Sequence, residues 1–265
     1  MTNFSDVLAD HLRPDQVRLR REKADVAFLP LGNIEWHGAQ NPLGVDGFSA
    51  LRTCCMAARL LDGGVVFPIL RWGVPRDSFN VGIAGPDAPP VARAFGTDLA
   101  RWQGFCLHGG MDIQEQWAFY QRLMRMTLEQ IAGYGFRSIY LCSGHGPLTH
   151  FTRSVAIAFS RASQMAGQPV TTDWGGVCEL SAMKGDHGGK AETSLMMALD
   201  PHMVDLGELD RHPEYLGLGA GADAIEATAA HGEAIFTAAS SALAAEARWL
   251  VENYPKLPPR HSHRR

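Results

Sequence analysis

The stretch GNIEWHGAQNPLGVD, residues 32–46, brings Glu35, His37 and Asp46 within a dozen residues of one another. Carboxylate oxygens and imidazole nitrogens are the ligands that a hard or borderline divalent metal takes. Glu35 and His37 are two apart, so in an extended segment both side chains point the same way. Asp46 returns after a loop broken by Pro42 and Gly44. The competing reading of these residues is a solvated polar loop. His145 lies in SGHG between two glycines, which let the backbone approach a ligand closely. A structural turn histidine is the alternative. In DHGGKAETS, residues 186–194, Gly188 and Gly189 separate His187 from Glu192. A loop histidine followed by a helix-start glutamate suits an acid/base group beside a ligand. Glu192 may be read instead as a plain first-turn carboxylate that favours the helix macrodipole. Glu35, His37, Asp46, His145 and Glu192 together fill two adjacent metal positions if one carboxylate bridges. Paired metals about 3.5–4 Å apart generate hydroxide and polarise a carbonyl at once.

These clusters need elements to position them. Residues 25–31, DVAFLPL, predict a buried strand that runs into the Glu35 loop. GFSALRTCCMAARLL, 47–61, has helical spacing and stops at Asp62-Gly63-Gly64. VVFPIL, 65–70, predicts a second strand. The Pro- and Gly-rich stretch 71–103 reads as a long, largely irregular excursion, and loops of that length are usually functional. A long amphipathic helix is expected over 111–132, a third strand over 137–143 and a helix over 149–166. A fourth strand is expected over 169–174, and a helix over 191–199 closed by Pro201. The Ala-rich segment 223–252 should form one final helix or two, with GLGAGAD, 217–223, as a loop before it. Strands alternating with helices indicate an α/β fold with a mostly parallel central sheet. Such sheets bind ligands beyond the carboxyl ends of their strands. The Glu35 and His145 clusters fall there. Trp174 closes the fourth strand and is expected either to line the pocket or to pack in the core.

The chain has 265 residues, 46% hydrophobic and 20% charged, which suits one globular domain over 1–255, followed by a mobile basic tail over 256–265. A net charge of −4 argues against a nucleic-acid partner. The five cysteines contain no CxxC and read as reduced thiols. No signal peptide and no apolar run of about 18 residues is present, so a soluble, cytoplasmic protein without a membrane partner is expected. The absence of G-x-S-x-G speaks against a serine nucleophile. The absence of G-x-G-x-x-G after the first strand speaks against a dinucleotide site. His108, His150 and His231 have no cluster partners in the sequence.

LPLGNIEWHGAQNPLGVD resembles the creatininase (creatinine amidohydrolase) family pattern P-x-G-x-x-E-x-H-G followed by L-P-x-x-x-D. LCSGHGPLTH is similar to its N-G-H-G-G-N stretch, and DHGGKAETSLMMALDP to its D-H-A-G-x-x-E-T-S-x-M-L-x-L-x-P stretch. GAGADAIEATAAHGEAI is similar to a weaker C-terminal pattern. The matches keep the family's order from residue 29 to about 235. The resemblance implies a three-layer α/β/α fold and a site for two divalent metal ions: zinc, manganese or iron. It implies that Asp46 bridges, that Glu35 and His145 hold one metal, and that His37 and a second carboxylate hold the other. Creatininase proper takes that carboxylate two residues after the histidine matching His145, where this chain has Pro147. Other members supply it from the E-T-S glutamate, here Glu192. His187 is then the proton shuttle near the leaving group.

Ser143 stands in place of the motif's first Asn, Pro147-Leu148 in place of its Gly-Asn ending, and Lys190 where many members have a second Glu. The segment RWGVPRDSFNVGIAGPD lacks the family's G-x-S-x-x-H and F-P-G-T pieces. The metal core survives these departures and the substrate wall does not. Lys190, Trp174 and Arg76 are the candidate substrate contacts. The resemblance implies a metal-dependent hydrolase whose dinuclear, metal-bound hydroxide opens a small cyclic amide at its C–N bond. The alternative it leaves is a C–C hydrolase that opens an oxidised cyclitol such as 3-dehydro-scyllo-inosose. A third reading is a non-catalytic metal-binding protein. The family also implies a homo-oligomer, often a hexamer.

Overall fold

The computed structural model describes residues 4–72, 85–98, 100, 111–183 and 185–253. Four parallel strands form one sheet in the order β2-β1-β3-β4: β1 (Val26–Leu31), β2 (Val65–Val66), β3 (Ser138–Ser143) and β4 (Thr171–Gly176). β1 and β3 are buried along their whole length. Their uninterrupted apolar runs fit inner strands of a parallel sheet covered on both faces.

Alternate residues of these strands enter different cores. Val26, Phe28, Tyr140 and Cys142 meet α2 (Val45–Leu60), α7 (Lys190–Leu199) and α9 (Ala229–Asn253) on one face. Ala27, Leu29, Leu31, Ile139 and Leu141 meet α4 (Ile113–Gly133) and α5 (Gly146–Met165) on the other. The result is the expected three-layer α/β/α arrangement. α1 (Pro14–Lys23), α3 (Ala88–Ala94), α6 (Val177–Ser181) and α8 (Gly207–Arg211) complete the helices among the described residues. None of the described helices is long and apolar enough to cross a membrane.

Several local expectations shift. The strand expected over 65–70 pairs only at Val65 and Val66. Phe67 N–H still donates to the Phe28 carbonyl and Leu70 N–H to the Pro30 carbonyl. Pro30 and Pro68 lack N–H groups, so the ladder breaks between those two bonds. The stretch 71–103 is not wholly irregular, because α3 lies within it. Its prolines, Pro89 and Pro90, occupy the first turn, where no intrahelical N–H is required. Pro147 has the same role in α5, which starts at Gly146 rather than at residue 149. β4 runs two residues past the expected end at 174. A short 3-10 turn, Ala222–Glu226, precedes α9, which is one helix starting at Ala229. The expected tail, 256–265, lies outside the described residues.

Candidate metal centre

Three chain segments converge beyond the carboxyl ends of β1 and β3. The loop after β1 supplies Glu35 and His37, whose side chains face inward while Trp36 turns away. The Trp36 indole N–H donates to the Leu218 carbonyl at 2.8 Å, and its ring packs with Ala88 and Val91 of α3. The alternation expected of an extended segment therefore holds. Asp46 is not in a loop: it sits in the first turn of α2, where a carboxylate also favours the helix dipole. His145 is the N-cap of α5, two residues after the end of β3. Glu192 lies in the first turn of α7, with His187 just ahead of it.

Glu35, His37, Asp46, His145 and Glu192 are all buried. The His37 Nδ1–H donates to the Glu35 carbonyl at 3.1 Å. Its Nε2 therefore faces Asp46 Oδ1 at 3.1 Å, Glu192 Oε2 at 3.6 Å and Glu35 Oε1 at 3.8 Å. His145 Nδ1 lies 2.9 Å from Glu35 Oε1 and 3.0 Å from Asp46 Oδ2. Two groups of potential ligands result: Glu35, Asp46 and His145, and His37, Asp46 and Glu192. Asp46 belongs to both, one oxygen to each. A third overlapping group contains Glu35, His37 and His187.

The donor set fits divalent cations. Glu35 Oε1 is buried with nitrogens around it, yet none is directed to give it a hydrogen bond. Lone pairs of nitrogen and oxygen converge on shared points, and a cation is what such points accept. Protonation follows from the same crowding. Burial opposes a charge on His37, but the bond to Asp46 and the charges of Asp46, Glu192 and Glu35 outweigh it and lift its pKa to about 9. Burial is likewise outweighed at His145 by Asp46 and Glu35, to about 10. Burial also resists ionisation of Asp46, but His145 and His37 hold its carboxyl well below the usual range. Glu192 goes the other way: burial, with the Asp46 charge, lifts it to about 8 against the pull of His37. Without metal, protons take up the positive charge these carboxylates demand.

His187 lies at the edge, its side chain 38% exposed. Its Nε2–H donates to the Trp36 carbonyl at 2.7 Å, and its ring stands 4.4 Å from that of His37. Burial, then the His37 charge, lowers its pKa. The imidazole is thereby kept neutral, with the Nδ1 lone pair turned towards the cluster, 3.8 Å from Glu35 Oε1.

A supporting ring escaped the sequence reading. Asn33 donates from Nδ2 to Glu35 Oε2 at 2.9 Å and from its backbone to Asp46 Oδ2 at 3.2 Å. Asp186 accepts from the backbone N–H groups of Ala191 and Glu192, capping α7. Gln40 and Asn41 tie the first loop to Gly188 and Thr193. The signals were present: Asn33 precedes Glu35 by two residues, and Asp186 is a cap-type residue before a helix. Two glycines permit the convergence. A Cβ on Gly144 would stand 1.9 Å from the Asp46 carbonyl oxygen. Gly188 has φ +59°, and a Cβ there would stand 2.4 Å from the His37 carbonyl oxygen.

Two expected substrate contacts have partners of their own. Lys190 pairs with Glu226 at 3.0 Å on the surface. Trp174 is buried in the core beside α5, with the Arg153 guanidinium 5.9 Å from its ring centre. Arg76 and His108 lie outside the described residues, His150 is exposed and His231 is half-buried. Cys54, Cys55, Cys142 and Cys178 are free thiols.

A parallel α/β sandwich with a carboxylate–imidazole centre at its strand ends defines a class of candidate metalloprotein. Comparison narrows it: the family model for creatininase, described as creatinine amidohydrolase, matches residues 94–247, and the chain belongs to the creatininase family. That match contains His145, His187 and Glu192, while Glu35, His37 and Asp46 precede it. Solved structures share the fold at low identity. A structure described as creatininase Mn is 21% identical, with 93% of this chain and 99% of that one covered and a TM-score of 0.70. A creatinine amidohydrolase (creatininase) is 20% identical over 95% and 99%, with a TM-score of 0.67. A mutant creatininase of Zn-Zn type is 21% identical over 93% and 98%, also at 0.67. No curated protein sequence matches the chain.

Proposed function

We propose that this protein is a metal-dependent hydrolase that opens a small cyclic amide at its C–N bond. The observation that carries the reading is the pair of ligand groups sharing Asp46. Two divalent ions, zinc, manganese or iron, would be held by Glu35 with His145 and by His37 with Glu192, Asp46 lying between them. Such ions supply a nucleophile from water at neutral pH and polarise the carbonyl under attack. The chain's residues do the rest. Asn33 fixes the Glu35 and Asp46 oxygens, and the Glu35 carbonyl fixes the His37 tautomer, so that Nε2 faces inward. His187, neutral and anchored on Trp36, presents Nδ1 to take a proton from the nucleophile and return it to the leaving nitrogen. Glu192, 3.6 Å from His37 at the same point, is the second catalytic candidate of this proposal. Substrate contact by Trp174 and Lys190 is a weaker element of this proposal, since Lys190 is engaged by Glu226.

The departure of residues 71–87 from the family pattern favours one second reading, ring opening of an oxidised cyclitol through C–C cleavage at the same centre. Opening of a cyclic amide frees an amine along with the carboxylate; cyclitol opening yields only a carboxylic acid. Elemental analysis of protein purified without chelator should find about two metal ions per chain, falling towards one in Glu192→Ala. No bound metal after reconstitution would overturn the mechanism. Two bound metals without turnover of lactams or keto-cyclitols would favour a non-catalytic metal-binding role. A cytoplasmic homo-oligomer is proposed on family grounds, and sedimentation tests the assembly.

A further inference from the structure

Arg71 follows Leu70, whose N–H donates to the Pro30 carbonyl and whose own carbonyl accepts from Gly32 N–H. It therefore stands at the carboxyl end of the sheet, beside the strand that leads to Glu35. Its guanidinium lies against the first turn of α2. A Cβ on Gly47, the residue after Asp46, would stand 3.0 Å from Arg71 Nε and 3.2 Å from Nη2. Arg71 Cζ lies 5.0 Å from the centre of the Phe48 ring.

Among the described residues, Arg20, Arg21, Arg52 and Arg71 are the arginines that are not exposed. Arg20 donates to the carbonyls of Ala58, Gly63 and Gly64. Arg21 donates to the Tyr134 carbonyl, and Arg52 to the Ala198 carbonyl and Glu233. Arg71 has the Phe48 ring and neither a hydrogen bond nor an ion pair among the described residues. Withdrawing a guanidinium from water without a counter-charge is unfavourable. Its place makes the cost larger, because the N-terminal end of a helix carries partial positive charge. Burial lowers its pKa, with no carboxylate among the described residues to offset it. The Phe48 ring attracts the guanidinium but takes up none of its N–H groups in hydrogen bonds. Those N–H groups stay available to a bidentate oxyanion.

We infer that Arg71 is the anion-recognition residue of this centre and that its substrate carries a carboxylate or phosphate near the carbonyl under attack. The inference rests on the hydrolase reading for the word substrate, but the anion site itself can be tested without turnover. Gly47 adjoins Asp46, so the guanidinium lies beside the turn that carries one of the candidate metal ligands. The absence of a side chain at Gly47 is what allows Arg71 to lie so close to that turn.

The test is calorimetric titration of acetate and of inorganic phosphate into the metal-loaded wild type, Arg71→Gln and Arg71→Lys, with metal content measured on each sample. The wild type should bind one or both anions, and whichever binds more tightly names the oxyanion class. Arg71→Gln should bind at least about tenfold more weakly, with Arg71→Lys between, because a point charge keeps attraction but loses the fork. Metal content should be equal in all three. Equal anion affinity in wild type and Arg71→Gln would overturn the inference, since the anion would then sit on the metals alone. No anion binding by the wild type would overturn it too. If Arg71→Gln fails to fold, the Arg71→Lys titration decides by the same criterion of weakened binding. Absence of metal from the wild type strikes the hydrolase reading, while the anion titrations still judge Arg71.

Discussion

The centre has two unlike halves. Glu35, His37 and Asp46 come from one short segment, and their side chains are almost wholly buried. They are braced by groups within that segment: Asn33, the Glu35 carbonyl and the start of α2. His187 and Glu192 come from a second segment well over a hundred residues later. They are joined to the first by Gln40 on Gly188, by Asn41 on Thr193 and by the packing of α7 on α2, and His187 keeps part of its surface in solvent. The first half is thus a rigid cradle made locally. The second is a cover whose position depends on packing. Rigid ligands give a metal centre its geometry, while a less confined histidine suits a group that must accept and release a proton.

The largest expected effect strikes the junction of the halves. Gly188→Val should cost about 3 kcal/mol or more, since it combines a left-handed backbone with a Cβ against the His37 carbonyl. A thermal melt with metal analysis checks it, and a variant that melts and binds metal like the wild type would refute the close approach.

The next concerns protons. His37 and His145 have folded pKa values, about 9 and about 10, above the ordinary 6.5. Their stabilisation is full below about pH 6.5 and is lost as pH rises through 9 and 10. Glu192, raised to about 8 from 4.5, loses its contribution on the way up as well. Chelator-treated protein should therefore melt several degrees lower at pH 9 than at pH 6.5. Metal-loaded protein should change less over that range, because metal replaces the protons. A flat profile for the metal-free protein would remove the electrostatic account of the cradle.

Asp186→Ala should act on the cover alone. Loss of the α7 cap should cost about 1 kcal/mol. Metal analysis should show the site containing Glu192 depleted before the site containing Glu35 and His145, and equal loss from both would dissolve the distinction between halves. Lys190→Ala bounds the series: its pairing with Glu226 is an exposed one, worth less than about 1 kcal/mol. A melting shift of several degrees in that variant would show that the surface beside α7 is coupled to the centre.

The same contrast governs what was readable in advance. The inward face shared by Glu35 and His37 followed from their spacing, and the buried strands from their apolar runs. Proline and glycine mark where a helix is interrupted, not which residue starts it: the helix expected from Gly47 begins two residues earlier and takes in Asp46. Pro89 and Pro147 likewise lie in first turns, one inside a stretch read as largely irregular and the other ahead of a helix expected from residue 149. The second strand shortened because two prolines face each other across its ladder, a pairing that needs both strands to be seen. Lys190 pairs with Glu226, a residue of the 3-10 turn before α9, a partner that spacing along α7 does not reveal.

The sequence by itself determined the donor types, the alternation that turns Glu35 and His37 inward, and a parallel sheet whose strand ends receive them. These depend on side-chain chemistry and on periods of a few residues, which neighbours along the chain carry. The tertiary structure decided that Asp46 turns one oxygen to each ligand group, that Gly188 passes under the His37 carbonyl, and that Arg71 lies against α2 with no counter-ion among the described residues. Those facts are distances between atoms far apart in the chain, and only packing sets them.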